Sequence, residues 1–148
     1  MECFCEREIL VLNSGVERAE GEYVLYWMQQ AQRAVCNHAL EFAVQEANRL
    51  GVPLVVGFTL TAGFPEANVR HYTFMLEGLI DVREALETRG IQFVLRLGDP
   101  VVEIAQLAQA AALVVMDSGY LRIQRSWRRG VAQQVECLAL ELETDVVV

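Results

Sequence analysis

At 148 residues the chain is one domain's worth, long enough to bury a hydrophobic core. Apolar residues make up 53% of it, yet no uninterrupted apolar run approaches the ~20 residues of a membrane span, and the acidic start from Met1 to Glu8 lacks the basic and apolar segments of a signal peptide, so a globular, cytoplasmic protein without a membrane partner is expected. The formal charge of −8, with arginine supplying every basic residue, argues against broad nucleic-acid binding by this chain alone, because phosphate neutralisation needs a cationic face.

In chain order, residues 1–22 read as an N-terminal arm and loop, with Ile9 to Leu12 a short helix or arm and Asn13-Ser14-Gly15 opening a charged loop up to Gly21. Residues 23–148 then alternate short apolar runs with amphipathic stretches, the pattern of βαβ units around a parallel sheet. Tyr23 to Met28 is the first strand of this unit. Leu40, Ala43, Val44, Ala47 and Leu50 recur at helical spacing, and Gly51 followed by Pro53 stops that helix. Leu54 to Leu60 reads as a second strand buried on both faces. After the connection from Thr61 to Asn68, residues Val69, Tyr72, Leu76, Leu79 and Leu86 mark the inner stripe of a long helix ended by Gly90.

Ile91 to Leu97 supplies a third strand, and Asp99 before Pro100 fits an N-cap followed by proline at the first helical position. Val102, Ala105, Leu107 and Ala108 are expected to pack that helix. Ala112 to Met116 forms the fourth strand, Ile123, Trp127, Val131 and Val135 a fourth helix, and Leu138 to Leu142 a fifth strand. The expected fold is therefore α/β: a Rossmann-like, doubly wound sheet of about five parallel strands with helices on both faces.

Arg122, Arg125, Arg128 and Arg129 form a local basic cluster, and Arg122, Arg125 and Arg129 share a stripe at helical spacing. A solvated helix face is the plain reading of that stripe, and a DNA-backbone or domain contact the functional one. Cys3, Cys5, Cys36 and Cys137 show neither Cys-x-x-Cys spacing nor a histidine at zinc-finger distance, so they read as reduced thiols and no metal site is expected. No nucleophile elbow, Walker loop or Gly-x-Gly-x-x-Gly follows a strand, and no catalytic constellation converges.

Several segments in order carry a family resemblance: Tyr23-Val24-Leu25-Tyr26-Trp27-Met28, Gln32-Arg33, Asn37-His38-Ala39-Leu40, Pro65-Glu66-Ala67-Asn68, Arg70 to Leu79, Gly98-Asp99-Pro100, and Gly119-Tyr120-Leu121-Arg122 ending in Trp127. The chain resembles the N-terminal α/β domain of the DNA photolyase/cryptochrome family, most closely the class II cyclobutane pyrimidine dimer photolyases. The resemblance implies light-driven repair of cyclobutane dimers by a complete enzyme, whose FAD sits in a helical domain that would begin beyond residue 148. It also implies an antenna pigment, an 8-hydroxy-deazaflavin or a reduced folate, in the α/β domain. The chain alone is then not expected to be a lyase. Its expected partners are a missing or separately encoded FAD-binding domain, damaged DNA only through the full-length enzyme, and a second copy through the exposed interdomain surface. A truncated scaffold without pigment is the other reading of the same resemblance.

If the strand order reverses between the first and fourth strands, as the resemblance implies, the segments from Met28 to Asn37 and from Asp117 to Arg122 face each other across one crevice. The implied pigment-binding residues are Trp27, Met28, Arg33, Asn37, Asp117, Ser118, Tyr120 and Leu121. Arg33 offers a planar fork to a carboxylate, phosphate or conjugated ring, or alternatively a salt bridge to the loop carrying Asp117. Asn37 and Asp117 suit helix capping as well as ligand contact. Ser118 and Gly119 leave room for close approach and Tyr120 a ring for stacking, while Trp27 suits packing or the pocket wall. Family members usually place acidic residues where this chain has Ala31 and Cys36. Arg70, His71 and Tyr72 match the family but lie on the second helix, as fold or interdomain residues. A different class, a nucleotide-binding domain of the universal-stress or electron-transfer-flavoprotein type, shares this architecture and binds at the same place through a glycine-rich loop; Asp117-Ser118-Gly119-Tyr120 supplies one glycine.

Overall fold

The computed structural model describes residues 9–12, 15, 20–28, 38–60, 69–117 and 122–142. Six strands are present: β1 (Ile9–Val11), β2 (Tyr23–Trp27), β3 (Leu54–Leu60), β4 (Gln92–Leu97), β5 (Ala111–Asp117) and β6 (Leu138–Leu142). The helices are α1 (His38–Leu50), α2 (Val69–Thr88), α3 (Pro100–Leu107) and α4 (Arg122–Gln134), with a 3-10 turn at Ala108–Ala110. The strands form one sheet in the order β1-β6-β5-β2-β3-β4. Five of them, β6, β5, β2, β3 and β4, are mutually parallel, as the alternating apolar runs predict.

The sixth strand corrects the reading of Ile9 to Leu12 as a helix or arm. Ile9–Val11 pairs antiparallel with β6, Ile9 opposite Leu142 and Val11 opposite Leu140, and the Leu12 amide donates to the Ala139 carbonyl at 2.9 Å. Three consecutive aliphatic residues are too short to reveal a period, and their partner lies far along the chain. Their pairing covers the edge that β6 would otherwise leave open.

Side chains alternate across each strand and fill two cores. Val24, Tyr26, Val56, Phe58, Leu113 and Val115 meet Leu40, Ala43 and Ala47 of α1 and Leu79, Val82 and Leu86 of α2. Leu25, Trp27, Val55, Val114, Met116 and Ala139 meet Ile104 and Leu107 of α3 and Val131 and Ala132 of α4. Both faces of the sheet are thus covered, which is why its strands read as nearly continuous apolar runs.

Both α1 and α2 stop by the same device. Gly51 and Gly90 have φ of 73° and 78°, where a Cβ would be strained. At each end two amides reach back into the last turn, Gly51 to Asn48 and Val52 to Ala47, then Gly90 to Glu87 and Ile91 to Leu86. This satisfies carbonyls the helix leaves open and turns the chain into β3 and β4. Asp99 caps α3 as expected: its side chain accepts the Val101 amide at 2.9 Å, with Pro100 at the first helical position.

Two packing expectations shift by part of a turn. Ile104, not the exposed Val102, is the central buried residue of α3. On α2, Leu76 is exposed and the inner stripe is Leu79, Val82 and Leu86. In each helix the residue that faces the sheet follows from the crossover angle, which the apolar count alone does not specify.

Candidate functional site

The strand order reverses between β2 and β5. From β2 the chain passes to α1 on one face, and from β5 to α4 on the other. Two adjacent parallel strands whose connections leave in opposite directions separate their following loops and open a crevice at their carboxyl ends. The expected switch point is therefore present in the sheet.

The strand ends at this switch point are well defined. Trp27 lies opposite Met116, and the Met28 amide continues the ladder by donating to the Gly57 carbonyl at 2.9 Å. Trp27 and Met116 turn into the core under α3 and α4, while Met28 turns into the core under α1 and α2. Trp27 is 1% exposed and Met28 and Met116 are fully buried, so these three are packed at the carboxyl ends of the two strands. At the next level Asp117 lies opposite Leu142 of β6, which places its backbone at the crevice mouth. Arg33, Asn37, Ser118, Tyr120 and Leu121 lie outside the described residues, as do Cys3, Cys5 and Cys36. The structure thus brings Trp27, Met28 and Asp117 to one end of two neighbouring strands.

At the opposite, amino-terminal end of the sheet lies a groove of about 480 Å³ beside Tyr23, Pro53, Gln92, Arg96 and Leu107. The Tyr23 hydroxyl donates to the Leu107 carbonyl at 2.5 Å and ties β2 to the last turn of α3. Burial pushes the Tyr23 phenol up from its ordinary value; neighbouring Glu22 adds to the rise and Arg96 opposes it. Arg96 in turn stands 3.8 Å from Glu103 of α3.

The basic cluster of α4 divides. Arg125 and Arg129 are exposed, as the helical stripe predicts, but Arg128 is only 6% exposed and its Nε lies 3.5 Å from Glu141 Oε1 on β6. Arg128 is the member of the cluster that the helical stripe leaves out, and its pairing with Glu141 is a contact between distant segments. The signal was available: Arg128 precedes Val131 and Ala132 by one helical turn, and those two residues face the sheet. Cys137 is buried and forms no disulfide, and among the described residues no group of His, Cys, Asp and Glu side chains is placed to hold a metal ion. Among them, too, no helix is long and apolar enough to cross a membrane.

Comparison with known proteins agrees with the segments that carry the resemblance. A family model described as DNA photolyase matches residues 24–147. The deoxyribodipyrimidine photo-lyase of Methanothermobacter thermautotrophicus is 44% identical over 137 residues, which cover 93% of this chain and 31% of that protein. That of Potorous tridactylus is 34% identical over 114 residues, covering 76% of this chain and 21% of the relative. The chain thus spans less than a third of the length of these curated relatives. Among solved structures, a universal stress protein from Archaeoglobus fulgidus in complex with dAMP superposes with a TM-score of 0.54 at 18% identity, covering 81% of this chain and 97% of that one. This last likeness shows the shared α/β architecture alone.

Proposed function

The chain belongs to the DNA photolyase family, and from that premise we propose that it serves as the N-terminal antenna-chromophore domain of a deoxyribodipyrimidine photolyase. The observation that carries this reading is the switch point between Trp27 and Met116, which lies inside the residues that match the family and is the place where open α/β sheets hold ligands. The whole protein would repair cyclobutane pyrimidine dimers with light, its FAD held by a helical domain in the same or a separate polypeptide. Damaged DNA would meet that assembly, and this chain alone would not be catalytic.

The pigment proposed for the crevice is an 8-hydroxy-deazaflavin or a reduced folate, and when bound it supplies light absorption and passes excitation onward. The chemistry of the surrounding residues suits such a planar, conjugated and partly polar group. A dry base of Trp27, Met28 and Met116 keeps water from beneath the ring. Arg33 would offer a guanidinium plane or a charge partner, Tyr120 a stacking ring, and Asn37, Asp117 and Ser118 hydrogen bonds to polar substituents, with Leu121 closing the mouth. The exposed apolar residues Leu76, Ile80, Leu95 and Leu97 support a protein contact, either with the FAD-binding domain or with a second copy. A cytoplasmic location fits this role.

The test is pigment retention. The purified chain is mixed separately with 8-hydroxy-deazaflavin, reduced folate, FAD and ATP, passed through gel filtration and read by absorption. Stoichiometric deazaflavin or folate without FAD is the expected result. Retention of ATP alone would move the crevice to the nucleotide-binding class, and retention of nothing would leave a scaffold without antenna function.

A further inference from the structure

We infer that the cavity between α4 and the β6–β1 edge is a binding site for a phosphate group, held by Arg125 and Arg129. The cavity encloses about 340 Å³ and is lined by Leu12, Arg125, Arg128, Arg129, Ala132 and Glu141. That size lies at the small end of ligand clefts and suits a compact group better than an extended one. Among the described residues that line it, three are arginines, in a chain whose formal charge is −8.

Among the described lining residues the charges do not cancel. Arg128 and Glu141 are both largely buried and face each other at 3.5 Å, so Glu141 is already matched. Arg125 and Arg129 remain, one helical turn apart, both exposed, and among the described residues neither has a carboxylate partner. Two like charges at this spacing disfavour the helix unless an anion lies between them. A guanidinium presents donors in a rigid fork that matches phosphate oxygens, and two such forks on the rim of a concavity converge on one oxyanion. Glu141 would repel that anion, but Arg128 stands against it and offsets its charge, leaving a net positive charge among the described lining residues. Screening over about 8 Å at physiological salt keeps the acidic remainder of the surface from erasing this local field. The site is distinct from the crevice between β2 and β5 and does not depend on a pigment being bound there.

The experiment is a titration of the folded chain with inorganic phosphate, AMP and a short DNA duplex in turn, following the Arg Nε–H resonances. Saturable shifts of Arg125 and Arg129 with inorganic phosphate are expected. Arg125→Gln and Arg129→Gln should each weaken binding by about tenfold, the value of one charge-assisted contact, while Arg83→Gln on α2 should leave it unchanged. Because both cavity arginines are exposed, these variants should keep the parental circular dichroism. AMP matching phosphate would identify a small phosphorylated ligand; much tighter, steeply salt-dependent duplex binding would identify a nucleic-acid backbone, and either result sustains the site. Absence of saturation, or equal weakening by Arg83→Gln, would overturn it.

Discussion

Trp27 and Met116 stand opposite each other on adjacent parallel strands, and both side chains are buried in the core beneath α3 and α4. The base of the proposed crevice is therefore also part of the fold's interior. Trp27→Ala should cost about 3–5 kcal/mol of stability, because it removes a large buried ring and leaves a cavity. Trp27→Phe should cost clearly less. Urea unfolding of both variants checks this, and an alanine variant as stable as the parent would show that the ring is not packed as described.

The buried pair Arg128 and Glu141 makes a different kind of prediction. Removing one partner takes the facing charge away from the other in a site that is 7% and 14% exposed at the two side chains. Glu141→Ala should therefore cost about 3 kcal/mol, whereas the double replacement Arg128→Met with Glu141→Leu should recover most of that loss. A double-mutant cycle reads the coupling directly, and simple additivity of the two single losses would contradict the pairing.

Tyr23 gives a pH dependence with a definite sign. Its folded-state phenol lies above the ordinary value of about 10, so folding favours the protonated form. The contribution is fully present below that ordinary value and is lost as pH rises through the folded-state one. The stability of the parent should fall more steeply above about pH 10 than that of Tyr23→Phe, which at neutral pH should already be weaker by about 1 kcal/mol through loss of the bond to Leu107. Parallel curves for the two proteins across the alkaline range would remove Tyr23 as the titrating group.

Much of this fold is written in local chemistry. Gly51, Gly90 and the Asp99-Pro100 step act within a few residues of themselves, and each stops or starts its helix where the chain indicates. The parallel strands are legible for a related reason, since burial on both faces demands runs such as Leu54 to Phe58 and Leu113 to Met116. What escaped depends on distant partners. Ile9–Val11 becomes a strand by pairing with the edge that β6 presents, and the buried Arg128 meets Glu141 on that same strand. The switch point was legible to the extent that strand order determines it: β2 and β5 are neighbours, and Trp27, Met28 and Asp117 stand at the carboxyl ends of these two strands. That Trp27 and Met28 would turn into opposite cores follows from strand alternation, but how deeply they are buried depends on helices that only the assembled sheet brings over them.

The claim that a pigment occupies the crevice between β2 and β5 is tested most directly by a backbone amide titration of the labelled chain with 8-hydroxy-deazaflavin and, separately, reduced folate. Tyr23 and Ala111 are paired at the amino ends of the same two strands, roughly 13 Å from the crevice end, and serve as the internal reference. Saturating shifts are expected at Met28, Met116 and Asp117, with little change at Tyr23 and Ala111. Saturable binding that moves Tyr23 and Ala111 instead, or no binding of either pigment, would contradict that claim.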